Sequence, residues 1–146
     1  MLELIDDETT AYIIEQLGHF EELRQVAAQL AGLLVLAASG SKSAAPDHPM
    51  LAMAERSCEA AVDGVRHGRP TERARPHHDH LLRAAEAIET AIGIARGNLG
   101  RQTDRVDIAQ ILAPLRNGYR HLQHAADLLP GFELVEFNAG CCRVRT

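Results

Sequence analysis

The stretch HLLRAAEAIETAIGIARGNL, from His80 to Leu99, carries the clearest structural signal in the chain. Its apolar residues recur in alternating steps of four and three, the spacing of the buried face of a helix in a bundle. That face consists of Leu81, Ala85, Ile88, Ile92, Ala95 and Leu99. Either Gly97 or Gly100 is suited to end the helix, because glycine readily adopts the left-handed conformation found just past helix ends. We therefore predict a helix here that packs against other helices.

Two segments before this stretch show the same helical spacing. The first helix is predicted to start near Asp7 and to end near Gly40, and its buried face to contain Ile13, Leu17, Phe20, Ala27, Leu30 and Leu34. The second is predicted to begin with Asp47 as its N-cap and Pro49 in its first turn. It stops at the HGRP segment, residues 67–70, and its buried face is predicted to contain Leu51, Ala54, Cys58, Val62 and Val65.

A fourth helix is predicted between Asp107 and Pro130. Asp107 is followed three residues later by Gln110, a capping-box pattern, and Pro130 with Gly131 closes the segment. The apolar positions are Ile108, Leu112, Leu115, Tyr119, Leu122, Ala126 and Leu129. Pro114 lies inside the segment and is expected to kink the helix, because its ring removes a backbone donor and crowds the preceding turn.

These four segments predict an all-α fold. No strand pattern alternates with the helices, which excludes a parallel sheet. Short links favour an antiparallel, up-down-up-down four-helix bundle over residues 1–130. Residues 131–146 differ, because they hold two of the three phenylalanines among β-prone neighbours. We expect them to form a short extended tail packed on the bundle or on a partner subunit.

Composition narrows the classes of function. The chain has 146 residues, the size of one domain, and a formal charge of -5, so global attraction to nucleic acid or to an anionic membrane is not expected. The acidic start MLELIDD does not resemble a secretory signal, and no apolar run is long enough to span a bilayer. Three cysteines are too few for a disulfide framework. A cytoplasmic location is the simplest expectation.

The cysteines fall into two groups. Cys58 lies on the apolar face of the second helix and is expected to be a small core residue. Cys141 and Cys142 are adjacent in the tail, where they would be free thiols, a soft-metal site or a vicinal disulfide. Free thiols are favoured, because no CxxC spacing accompanies them.

The first helix carries a second set of apolar residues, Val26, Leu33 and Leu36, which point away from its main stripe. A helix that is apolar on two sides is buried on two sides. We therefore expect a homodimer through this second face. The alternative is that the tail of the same chain covers it.

Histidines gather at one end of the predicted bundle. His121 and His124 have HxxH spacing, which suits zinc, copper, nickel or iron. However, both lie off the apolar stripe, whereas a metal site in a bundle core needs ligands that project inward. No Glu-x-x-His pair occurs, so the di-iron pattern is missing. No cofactor is expected; the alternative is a divalent transition metal at these two residues.

An anion site is a second hypothesis for this end. The third helix is predicted to begin near His77, and a helix N-terminus attracts anions. Arg73 and Arg75 precede it, and His77 and His78 are in its first turn. The competing interpretation is a solvated loop that faces the acidic start of the first helix, whose charges would raise the pKa values of His77, His78 and His80.

A third hypothesis comes from the segment HLLRAA, His80 to Ala85, which resembles the motif around the active histidine of histidine phosphotransfer domains. Those domains are also helical bundles. The resemblance implies that His80 would accept the phosphoryl group and that Arg83 would be its basic partner. Ala84 stands where that family usually has glycine, which bears on access to the imidazole. The similarity covers six of 146 residues.

The sequence therefore favours a cytoplasmic, self-associating helical bundle that acts by binding a partner or a small ligand rather than by an identifiable reaction. The alternative is a histidine-based site at one end of the bundle, serving metal binding or phosphotransfer through His80. The residues that would separate the two are His77, His78, His80, His121 and His124.

Overall fold

The computed structural model describes residues 4–39, 49–98 and 105–134. It contains four α-helices: α1, Asp7–Ala38; α2, Pro49–Arg66; α3, Arg75–Asn98; and α4, Arg105–Leu128. Within the described ranges no residue lies in a β-strand. The predicted all-α, four-helix fold is confirmed. Within the described ranges, no helix combines the length and the apolar character that crossing a membrane requires.

Two helices begin earlier than the sequence predicted. α3 starts at Arg75 rather than near His77, because Pro76 is compatible with the first turn of a helix. α4 starts at Arg105, so Asp107 lies within the helix and is not its N-cap. Asp47, the predicted cap of α2, lies outside the described residues.

The core is built from the predicted apolar faces. Side chains from all four helices are buried there, among them Phe20, Leu30, Ala54, Cys58, Ile88 and Leu122. In α4 the first turns are rotated from the prediction: Ile111 is fully buried, whereas Ile108 and Leu112 are partly exposed. Pro114 lies inside this helix, as predicted. Burial raises the pKa of Cys58 to about 12, with a further contribution from nearby glutamates, as expected for a core thiol.

Three side-chain contacts join the start of one helix to the end of the next helix in the chain, or to the link just beyond that end. The pairs are Thr9 with Thr71, Glu55 with Arg96, and His80 with His121. Thr71 belongs to the link between α2 and α3. Ala74, in the same link, is fully buried. Such contacts agree with antiparallel neighbours; the complete up-down-up-down order stays a prediction.

The second apolar face of α1 is not a free surface. Val26 and Leu33 are both 0% exposed within the single chain, and the partly buried Leu36 packs against the same core. The reason is that α1 contacts α2, α3 and α4, so that a wide arc of its circumference is covered. Val26 and Leu33 therefore belong to the core of the single chain, while the homodimer itself stays a prediction.

Part of the predicted tail is described. After α4, Phe132 is 2% exposed and joins the core, and Leu134 packs against it. Gly131 has a φ of 94°, which lets the chain turn back onto α1, where it approaches Ile13. The rest of the tail, including Phe137, Cys141 and Cys142, lies outside the described residues.

Two helical glycines are expected to respond in opposite ways to alanine. At Gly118 an added Cβ would lie 2.7 Å from Cγ1 of Ile88 and 3.3 Å from the carbonyl oxygen of Ala84, so Gly118→Ala should lower the free energy of unfolding by about 1–3 kcal/mol. At Gly93 an added Cβ meets nothing within 4 Å. Gly93→Ala should therefore raise that free energy by up to about 1 kcal/mol, because alanine favours the helix.

Urea unfolding of both variants checks this pair. Equal stabilisation by the two alanines would show that α3 and α4 do not approach closely at Gly118.

Candidate functional site

Two groups of polar side chains occupy the end of the bundle where α3 begins and α4 ends. The first, here called the outer histidine cluster, consists of His80 on α3 with His121 and His124 on α4. The second, here called the buried polar cluster, lies on the inner side of the same turn of α3 and consists of Tyr12, Gln16, His77 and His78. The sequence predicted that histidines gather at this end but not their division into two groups.

The outer histidine cluster brings three imidazoles from two helices into contact. Nδ1 of His80 lies 2.9 Å from Nδ1 of His121. The ring centroid of His80 is 5.0 Å from that of His124, and the His121 and His124 centroids are 6.3 Å apart. His80 and His121 are half-buried and His124 is exposed. HxxH spacing indicated the pair on α4; the partner on α3 was not predicted for this site.

Burial and neighbouring cations disfavour the charged forms of His80 and His121. Burial, followed by the charges of neighbouring histidines and of Arg83, lowers the pKa values of both His80 and His121. Arg120 contributes further to the lowering at His121. With both rings neutral, the short contact between the two Nδ1 atoms requires that one carries the hydrogen and the other accepts it.

The nitrogen positions resemble those around a metal ion without matching them. Two imidazole nitrogens on one tetrahedral zinc ion stand about 3.3 Å apart, given Zn–N bonds of about 2.0–2.1 Å. The two Nδ1 atoms here are 2.9 Å apart and point at each other. Over the described parts of the chain, no group of three or more His, Cys, Asp or Glu side chains is arranged to hold an ion. Binding would require rotation of at least one ring.

The buried polar cluster is centred on the hydroxyl of Tyr12. This hydroxyl lies 2.9 Å from Nδ1 of His77 and 3.3 Å from Nδ1 of His78. A hydroxyl has one hydrogen, so it donates to one imidazole and accepts from the other. His77 is 0% exposed and His78 9%. Burial, with the charges of Asp79 and Glu15, raises the pKa of Tyr12, so the group is a neutral phenol.

Helical spacing and two glycines explain how this cluster fits inside. Tyr12 and Gln16 are one turn apart on α1, and both are directed at the end of α2 and the start of α3. An added Cβ at Gly68 would lie 2.5 Å from Nε2 of Gln16, and one at Gly64 would overlap the ring of His19. Larger residues at these two positions would displace the polar side chains of α1.

The pKa values of the histidines shift in the direction opposite to the one predicted for a solvated loop. Burial lowers the pKa of His77 to about 4, and it also lowers the pKa values of His78 and His80. The prediction considered only the neighbouring charges and assumed that the imidazoles are hydrated. The first turn of α3 instead directs His77 and His78 inward. Loss of hydration then outweighs the attraction of carboxylates at the surface.

The four residues predicted to bind an anion are not brought together. Arg73 and Arg75 are exposed, and Nη1 of Arg73 donates to the carbonyl oxygen of Leu4 at 3.4 Å. His77 and His78 face Tyr12 inside the bundle. An anion site at the start of α3 would therefore be limited to the two arginines and remains a prediction.

The residues of the phosphotransfer hypothesis are placed on the surface of α3. His80 is half-buried with its Nδ1 hydrogen-bonded to His121, and Arg83 is exposed. Ala84 is fully buried, and its carbonyl oxygen faces Gly118 of α4. The residue that replaces the family's glycine thus faces the α3–α4 interface rather than the imidazole. Phosphotransfer through His80 stays a prediction.

Comparison of the chain with protein-family models, with curated protein sequences and with solved structures found no match.

Proposed function

We propose that this protein binds a divalent transition-metal ion through His80, His121 and His124. The observation that carries the proposal is the meeting of three imidazoles from two helices, with two of their nitrogens 2.9 Å apart. Imidazole is a ligand for zinc, copper, nickel and iron. Three protein ligands leave a coordination position for water, as in metal sites that are open to solvent.

The lowered pKa values of His80 and His121 favour binding near neutral pH. A metal ion competes with protons for the imidazole lone pair. Because the pKa values of His80 and His121 are lowered, little proton competition remains at neutral pH. Binding should therefore persist to a lower pH than binding by an ordinary pair of surface histidines.

Two features limit the affinity. Arg83 and Arg120 repel a cation for the same reason that they disfavour a proton on His121. The hydrogen bond between His80 and His121 must also be broken when their rings turn toward the ion. The partial exposure of the cluster allows that rotation and gives the ion a path from solvent.

Calorimetric titration with zinc at about pH 7.5 tests the proposal, with protein purified without a histidine tag. We expect one ion per chain and a rise in melting temperature when the ion is present, since a ligand that binds only the folded state stabilises it. His121→Ala removes one of three ligands and should weaken binding by at least about 10-fold.

His67→Ala is the matched control, because it removes an imidazole whose side chain is 78% exposed and which lies outside the cluster. It should leave the affinity unchanged. A substoichiometric ion, or equal affinity for zinc in the His121→Ala and unmodified proteins, would show only adventitious binding and would exclude the proposed site.

A further inference from the structure

The chain that follows α4 covers His77. The His77 and Phe132 ring centroids are 4.1 Å apart, and Phe132 makes an edge contact with Phe20 at 5.2 Å. His77 and Phe132 are 0% and 2% exposed. Phe132 thus closes the buried polar cluster on the side of α4 and separates an imidazole from water.

Among the described residues, the closed arrangement offers a charge on His77 no carboxylate and no partner for its Nε2. Its Nδ1 is paired with the Tyr12 hydroxyl, and its Nε2 is buried without a hydrogen-bond partner among the described residues. Asp79, two residues after His77, and Glu133, next to Phe132, are both exposed. Tyr12 and Phe132, which contact His77 from α1 and from the segment after α4, carry no charge at neutral pH. The neighbouring imidazoles of His78 and His80 on α3 disfavour protonation of His77.

We propose that residues 129–134 form a pH-sensitive latch, which holds Phe132 against the bundle while His77 is neutral and is released when His77 is protonated. Release lets water hydrate the imidazolium and exposes the aromatic surface formed by Phe20 and Phe132. The bundle formed by the four helices stays folded.

The direction follows from proton linkage. In the closed state burial holds the pKa of His77 at about 4, whereas a hydrated imidazole in the open state has its ordinary value of about 6.5. The open state therefore binds more protons between these two values, and acid favours opening. Between about pH 7.5 and about pH 5 the opening equilibrium should shift roughly 30-fold toward the open state.

A single fluorescent reporter tests the latch, because the chain contains no tryptophan. In a Phe132→Trp variant, emission should move to longer wavelength and acrylamide quenching should increase as the pH falls from about 6.5 to about 4. Helix content, measured by far-UV circular dichroism, should stay constant over the same range. A chelator in every sample removes any contribution from metal at the outer histidine cluster.

Two further variants assign the response to His77. Adding His77→Gln to the reporter should abolish it, because glutamine does not titrate, whereas adding His67→Gln at an exposed position should leave it intact. Since tryptophan is larger than phenylalanine, the unmodified chain is also tested with a dye that fluoresces on apolar surfaces. Its binding should rise over the same pH range.

Any one of the following results would contradict the proposed latch. A reporter indole that stays shielded down to about pH 4 would show that the segment does not open. Loss of helix at the same pH as the fluorescence change would show global unfolding instead. An acid response that survives His77→Gln would assign the titration to another group, and no rise in dye binding by the unmodified chain would confine the response to the Phe132→Trp variant.

Discussion

The Leu33→Glu variant is expected to contain little folded protein at any concentration. Leu33 is fully buried inside the bundle. Loss of a large buried side chain costs about 2–5 kcal/mol, and a carboxylate at that position adds the cost of an unpaired buried charge. The free energy of unfolding of a domain is only about 5–15 kcal/mol. Far-UV circular dichroism at room temperature should therefore show a largely unfolded chain.

Val35→Glu is the matched control, two residues further along α1. Val35 is 68% exposed, so a charge there should change the free energy of unfolding by no more than about 0.5 kcal/mol. Sedimentation distinguishes the core from an interface. If Leu33 lay on a dimer face, Leu33→Glu would give a folded monomer, and that result would contradict its position in the core.

Phe132→Ala is expected to lower the free energy of unfolding by about 3 kcal/mol. Truncation of a buried phenylalanine costs about 3–5 kcal/mol, and contacts with Phe20 and His77 are lost with the ring. The lower end applies because the segment after α4 can leave the bundle instead of enclosing a cavity. In urea, the midpoint of unfolding should fall while the slope changes little.

Leu128→Ala provides the comparison, because Leu128 is 47% exposed and lies just before the same segment. The loss of stability in this variant should be below about 1 kcal/mol, since less surface leaves water on folding. Similar losses for the two variants would mean that Phe132 is not a core residue.

Helix positions were predictable where one neighbouring surface decides burial. The alternating spacing of α3 places Leu81, Ile88 and Ala95 on one face, and all three are fully buried. α1 was harder, because contacts with three helices bury a wider arc than a single stripe, so Val26 and Leu33 were assigned to the wrong surface. The spacing of apolar residues indicates which face of a helix is buried. The number of neighbouring helices determines how wide that buried face is.

The outer histidine cluster could be predicted only in part from the sequence. His121 and His124 were identified from their spacing along one helix, which is a local property. Their contact with His80 depends on the rotation of α4 about its axis and on its close approach to α3 at Gly118, and no local pattern specifies either. A signal that could have indicated this approach is Gly118, which lies three residues after Leu115 and four before Leu122.

The pKa directions could not be obtained from charges in the sequence. Acidic residues outnumber basic ones at the start of the chain, which would raise histidine pKa values in water. The start of α3 at Arg75 turns His77 toward Tyr12, where loss of hydration dominates. His77 lies one helical turn before Leu81 on the buried face of α3, and its burial reverses the expected response to acid.

The contact between Phe20 and Phe132 joins residues that are 112 positions apart in the chain. Contacts between α1 and α2, or between α3 and α4, need much shorter loops to close, and contacts between distant residues form more slowly. During synthesis, the helices can pair as they emerge, but Phe132 cannot cover His77 until residue 132 has left the ribosome. The docking of Phe132 is therefore expected to be a late event in folding. Only after it is the buried polar cluster separated from water on the side that Phe132 covers.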